Sequence, residues 1–195
     1  NVGAVSSQTL CNNAPTSAIN FSTSVPGTVF NWVNPNPSIG LGASGIGNIG
    51  SFIAVNASVL PATTVFSVTP TRSGCVGPVE TFSITVNPTP NVDPVSSQTI
   101  CNTVSTSAIT FATTVPGTVF NWTNPNPGIG LLGSGSGSIA SFTAVNTSFV
   151  PVTTVFTVTP TRAGCVGAIQ TFSITVNPTP NVVASSNQAV CNGAS

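Results

Sequence analysis

The ten residues TFSITVNPTP stand at 81–90 and again, unchanged, at 171–180. Six of them alternate: Phe82, Ile84 and Val86 point one way, Thr81, Ser83 and Thr85 the other. This is the period of a half-buried strand. Asn-Pro follows and stops it, because Pro88 and Pro178 have no N–H to give to a ladder. Pro90 and Pro180 then favour an extended, stiff link rising about 3.1 Å per residue. The stretch reads as a last strand plus a joint.

Sliding the chain on itself extends that match to its whole length with a period of 90 and no gap. Cys11 falls on Cys101, Trp32 on Trp122, Arg72 on Arg162 and Cys75 on Cys165, and 64 of the 90 aligned positions are identical. NVVASSNQAVCN, from Asn181, matches the openings NVGAVSSQTLCN and NVDPVSSQTICN. The expected domains are therefore 1–90, 91–180 and the start of a third copy at 181–195, with linkers around 87–91 and 177–181. The expected parent is longer than these 195 residues. A period of 90 exceeds that of solenoid units and suits a small independent domain.

Within one copy, short β-rich runs are punctuated by Gly, Pro and Asn. Strands are expected near Val5–Leu10, Ala18–Thr23, Thr28–Val33, Ser51–Asn56, Thr63–Thr71 and Val79–Asn87, with a short one around Ile39–Ala43. No helical period occurs. The two copies test which face is buried. Val33 becomes Thr123, Ile53 becomes Thr143 and Ser67 becomes Thr157, so these positions are read as facing water. The expected cores are Phe21, Phe30, Trp32, Phe52, Phe66 and Phe82, then Phe111, Phe120, Trp122, Phe142, Phe156 and Phe172. The fold class is all-β: tandem immunoglobulin-like sandwich modules of about 90 residues.

The chain has two acids, two Arg, and no His or Lys, and is 2% charged. Zero net charge gives no handle on nucleic acid. No apolar run is long enough to span a bilayer as a helix. Acid–base catalysis needs a titratable pair, yet Glu80 and Asp93 face Gln170 and Gly3 in the other copies. The reading is not an enzyme, with no catalytic residue, no cofactor and no metal. Arg72 and Arg162, at a hairpin end in TPTRSGC and TPTRAGC, are candidate contacts, with Glu80 as a possible ion-pair partner for Arg72. Trp32 and Trp122 share strand parity with Phe30 and Phe120, which favours core packing over sugar stacking.

Five cysteines reduce to two per copy plus Cys191, whose partner would lie beyond the fragment. The simplest pairing is Cys11–Cys75 and Cys101–Cys165, each closing a loop worth about 4 kcal/mol in the chain-entropy view. A rival pairing links neighbouring modules, as Cys11–Cys165. Either implies an oxidising, extracellular compartment.

Cys-Asn after a first strand, then FNW, TPTRxGC and TFSITVNPTP, repeated in tandem, resembles the Cys-containing PKD-like and immunoglobulin-like repeats of giant Bacteroidota surface proteins, gliding-motility adhesins and other type 9-secreted proteins among them. The resemblance implies a secreted, cell-surface stalk, filament or adhesin built of many repeats. The chain departs from true PKD domains after the Trp, where NWVNPNPSIG and NWTNPNPGIG carry no acid. The expected role is a disulfide-stapled rigid spacer whose partners are its neighbouring repeats. Alternatives are a glycan-binding adhesive module and a self-assembling fibre subunit that binds like chains.

Overall fold

A computed structural model describes residues 1–187, 189 and 192. The first copy forms β1 (Gln8–Cys11), β2 (Val29–Val33), β3 (Ser44–Ile46), β4 (Ala62–Arg72), β5 (Cys75–Val76) and β6 (Glu80–Asn87). The second repeats them as β7 (Gln98–Cys101), β8 (Val119–Thr123), β9 (Ser134–Ser136), β10 (Val152–Arg162), β11 (Cys165–Val166) and β12 (Gln170–Asn177). Each copy is one six-stranded sheet, ordered β1-β6-β4-β2-β3 in the first, with β5 on the end of β4. β1 runs parallel to β6 and the other pairs are antiparallel.

A second layer closes the sandwich without forming ladders. The residues around 14–20 and 49–54 pair only as the isolated bridges Pro15–Ile53 and Ile19–Ile49, with backbone bonds from the Thr16 amide to the Phe52 carbonyl, from the Ala54 amide to the Ala14 carbonyl, and both ways between Ile19 and Ile49. Here the structure corrects two expected strands, Ala18–Thr23 and Ser51–Asn56. Side chains take up backbone groups beside these bridges: the Phe21 amide donates to Asn48 Oδ1, and the Phe52 amide to Thr16 Oγ1. Thr16 and Asn56 are buried for this purpose. Asn56 Nδ2 donates to the carbonyls of Leu60 and Val86, and its Oδ1 accepts from the Ser58 amide and hydroxyl. Side-chain amides thus satisfy backbone groups that a regular strand would have paired. The expected strand at Ile39–Ala43 is displaced as well. A 3-10 turn occupies Pro37–Ile39, and β3 begins at Ser44.

The core lies between the layers. Phe66, Val68, Ile84 and Val86 are fully buried, with Phe21, Trp32 and Phe82 nearly so, while Phe30 and Phe52 pack half-buried against them. Phe66 and Phe82 stack at 4.8 Å between centroids. The second copy buries Phe111, Phe120, Trp122, Phe156 and Phe172, with Phe142 half-buried against them. Val33 and Ile53 are exposed, as their replacement by Thr in the second copy implies. Gly45 lies against the Trp32 indole, so closely that a Cβ there would overlap the ring.

Candidate functional site

The register of the sheet decides which cysteines can meet. Cys11 lies beside Asn87, and the neighbouring Val86 lies opposite Ala62 at the start of β4. Cys75 lies opposite Arg72 at the other end of the same strand. Eleven residues of strand at about 3.3 Å each put these two ends about 33 Å apart, whereas a disulfide needs Cα atoms within about 7 Å. The intramodule pairs Cys11–Cys75 and Cys101–Cys165 therefore do not form. Cys11 bonds Cys165 instead, across the junction, with Cα atoms 5.5 Å apart. Cys75 and Cys101 are exposed free thiols. Cys191 lies outside the described residues.

The topology leads to this pairing. β6 carries the chain out of the first module at the end where β1 also finishes. The linker then enters the second module at the end where the β10–β11 hairpin turns. That turn is tight: Ala163 and Gly164 both have positive φ, at 46° and 80°, as a two-residue hairpin loop requires. It holds Cys165 toward the incoming chain.

Around the disulfide, Pro88 and Pro90 are buried, while their counterparts Pro178 and Pro180 are half-buried and exposed. Asn91 Oδ1 accepts from the Thr113 hydroxyl and from the Thr114 amide and hydroxyl. The Asp93 amide donates to the Ala112 carbonyl. At the other face Asn12 Nδ2 donates to Thr89 Oγ1, and the Asn12 amide to the Asn87 carbonyl. The joint is thus held on both sides. Val115 keeps 4% of its surface where its equivalent Val25 keeps 39%. Cys165 is buried and Cys75 exposed; Arg162 is half-buried and Arg72 exposed. Nη1 of Arg162 is enclosed, with no hydrogen-bond partner among the described residues.

The other candidates disperse. The register puts Glu80 beside Val68, not beside Arg72. Trp32 and Trp122 are buried, so neither indole presents a stacking face. The sequence also holds four Asn-x-Ser/Thr triplets, at Asn20, Asn56, Asn121 and Asn146; Asn56 and Asn146 are buried, and Asn20 and Asn121 are exposed. Among the described residues, no three of His, Cys, Asp and Glu gather as metal ligands, and no helix is long and apolar enough to cross a membrane. Sequence reasoning passed over Asn91 and Gly167. The first looked like any linker Asn, and the second like any loop Gly.

Gly167 gives a clean test of the joint. A Cβ at Gly167 would land on the Pro90 carbonyl oxygen as well as touching Pro160; at the equivalent Gly77 it would meet only Pro70. Gly167→Ala should therefore loosen the pair of modules, and Gly77→Ala should not, while both strain their own hairpins alike. Small-angle scattering of the two variants checks this, and equal profiles would count against the described joint.

These features define a chain of tandem immunoglobulin-like β-sandwich modules joined through a structured, covalently closed junction. The chain belongs to the PKD-like domain family, which it matches over residues 8–90 and 98–180. No curated protein matches it in sequence. Similar solved structures include the complex of Dpr11 IG1 with DIP-gamma IG+IG2, at 9% identity and a TM-score of 0.45, covering 90% of this chain and 96% of that one. Mouse cadherin-23 EC22-24 is similar at 10% identity and a TM-score of 0.46, covering 89% of this chain and 63% of that one. The insect immune protein hemolin is similar at 13% identity and a TM-score of 0.43, covering 89% and 45%.

Proposed function

We propose that this chain is a structural repeat segment of a secreted, surface-exposed filament, stalk or adhesin, non-catalytic, and acting as a stapled spacer. The observation that carries the reading is the Cys11–Cys165 bond. A bridge within a module would stabilise that module alone. A bridge between modules restricts their relative motion, which is useful only where spacing and direction matter. The buried prolines act in the same sense, since each fixes its φ and removes a donor. A disulfide between domains also calls for an oxidising compartment, which supports an extracellular location. A surface of Ser, Thr and Asn with 2% charge interacts little with salt or pH, as suits an exposed stalk. The resemblance to Bacteroidota type 9-secreted and gliding-motility repeats points to the same setting.

The test is Cys11→Ser. Each module should keep its own fold, because the bond lies outside both cores, while the pair as a whole loses the loop-closure stabilisation of the disulfide. Small-angle scattering should show a broader distribution of shapes, and Pro88→Gly with Pro90→Gly in the same chain should broaden it further. A pair as rigid without the bond as with it would overturn the spacer reading.

A further inference from the structure

The first module carries an unfilled copy of the junction. A cleft of about 200 Å³ is lined by Asn1, Val25, Pro70, Arg72, Cys75 and Gly77. Their equivalents in the second module are Asn91, Val115, Pro160, Arg162, Cys165 and Gly167. In that module the same surface is taken up by the exit end of the first module: Pro90 lies on Gly167, and Cys11 is bonded to Cys165. The cleft keeps its shape where it is empty. The Gly3 amide donates to the Ser22 carbonyl as the Asp93 amide does to Ala112, and Ser73 and Gly74 hold the same turn, with φ of 48° and 83°. So Cys75 is presented as Cys165 is. The mating end is displayed at the far side of the second module, where Cys101, Pro178 and Pro180 are more exposed than Cys11, Pro88 and Pro90.

We infer that the cleft at Cys75 is a socket for the exit end of another module of this kind joined in tandem ahead of Asn1, whose first cysteine forms a disulfide with Cys75. The occupant follows from the occupied copy: an apolar valine, a hairpin cysteine and a glycine that admits a proline carbonyl are met there by Cys-Asn and Asn-Pro-Thr-Pro. Tandem linkage supplies it at the high effective concentration of a short linker. The bond forms by exchange with a small-molecule disulfide such as oxidised glutathione. One cysteine thiolate attacks it and releases one glutathione thiolate. The second cysteine thiolate attacks the mixed disulfide and releases the other. The two protons lost by the cysteines end on the two glutathiones, which are reduced as the cysteines are oxidised. Repeated along an array, each module would be bonded to the one before and the one after it.

The inference deepens the spacer reading, yet its chemistry is read separately from stiffness. Residues 1–90 are fused ahead of Asn1, the three-module chain is oxidised in a glutathione buffer, and unreduced peptides are mapped by mass spectrometry. Cys75 should lose its labelling by a thiol reagent and appear linked to the first cysteine of the added module, with Cys11–Cys165 intact. Changing that added cysteine to Ser should restore the labelling. A Cys75 that stays free, or that bonds any other cysteine, overturns the inference even if Cys11→Ser still loosens the original pair. Cys75–Cys101 bonds forming as readily between copies of the unextended chain would also overturn it, in favour of assembly between chains.

Discussion

Pulled from its two ends, the oxidised chain is expected to extend to about 150 Å and the reduced chain to about 700 Å. The difference follows from where the disulfide enters the chain. Cys11 and Cys165 are 154 residues apart in sequence, so tension passes from the first strand across the sulfur atoms to the β10–β11 hairpin. Residues 12–164 then lie outside the path of the force. They include nearly all of the first core and most of the second. Only the residues before Cys11 and after Cys165 can lengthen the oxidised chain, at about 3.6 Å each when fully drawn out. Single-molecule stretching with and without reductant measures both lengths, and Cys11→Ser should behave as the reduced chain does. An oxidised chain reaching the longer limit would mean that the bond is absent. A chain stapled this way can unfold locally under load without reaching its full contour length. The bond also closes a very long loop, worth about 5 kcal/mol in the chain-entropy view when both modules are unfolded. That term falls on the pair as a whole.

Much of this was legible in the sequence because the chain supplies its own comparison. TFSITV showed its buried face by alternation, and the exchanges at Val33 and Ile53 marked the outer face where the structure leaves them exposed. The sequence did not reveal that Ser51–Asn56 would miss its ladder. Its Phe52 and Ala54 alternate as strand residues do, but the Thr16 hydroxyl and the Asn12 side-chain carbonyl take the Phe52 and Asn56 amides. Local pattern cannot show which partner wins such a competition. The disulfide failed for a different reason. Two cysteines per repeat suggest a closed pair, and counting takes no account of the strand about 33 Å long that separates them. Parallel pairing of β1 with β6 fixes Cys11 at the exit end, and this long-range contact leaves no local trace. The junction was legible only in outline: Pro88 and Pro90 announced a stiff link, while the socket formed by Val115, Cys165 and Gly167 exists only after the hairpin and the linker meet.

Phe66→Ala should unfold the first module under conditions where the second remains folded. Phe66 is fully buried, stacks on Phe82 at 4.8 Å and meets the Trp32 indole at 6.4 Å. Truncating such a ring costs about 3–5 kcal/mol, through lost transfer energy and the cavity left behind. A module of this size has a total of about 5–13 kcal/mol to lose. The loss is hard to absorb here because the layer facing Phe66 is held by isolated bridges and side-chain amides rather than by a ladder. Collapse of the cavity would pull Ile19 and Ile49 away from the hydrogen bonds that fix them. Phe156 stacks on Phe172 at the same distance in the second module, so Phe156→Ala should do the converse. Calorimetry should resolve two transitions in either variant. Val65→Ala, on the exposed face of β4, is the control and should shift stability by no more than about 0.5 kcal/mol. A Phe66→Ala chain that melts as the parent does would show that the aromatic column does not carry the module. The Cys11–Cys165 bond should not rescue the variant, because it joins the ends of β1 and β11 and makes no contact that replaces the ring. With the bond intact, the unfolded first module stays tethered to its folded neighbour, and the loss of fold should appear in the calorimeter without the full gain in length on stretching.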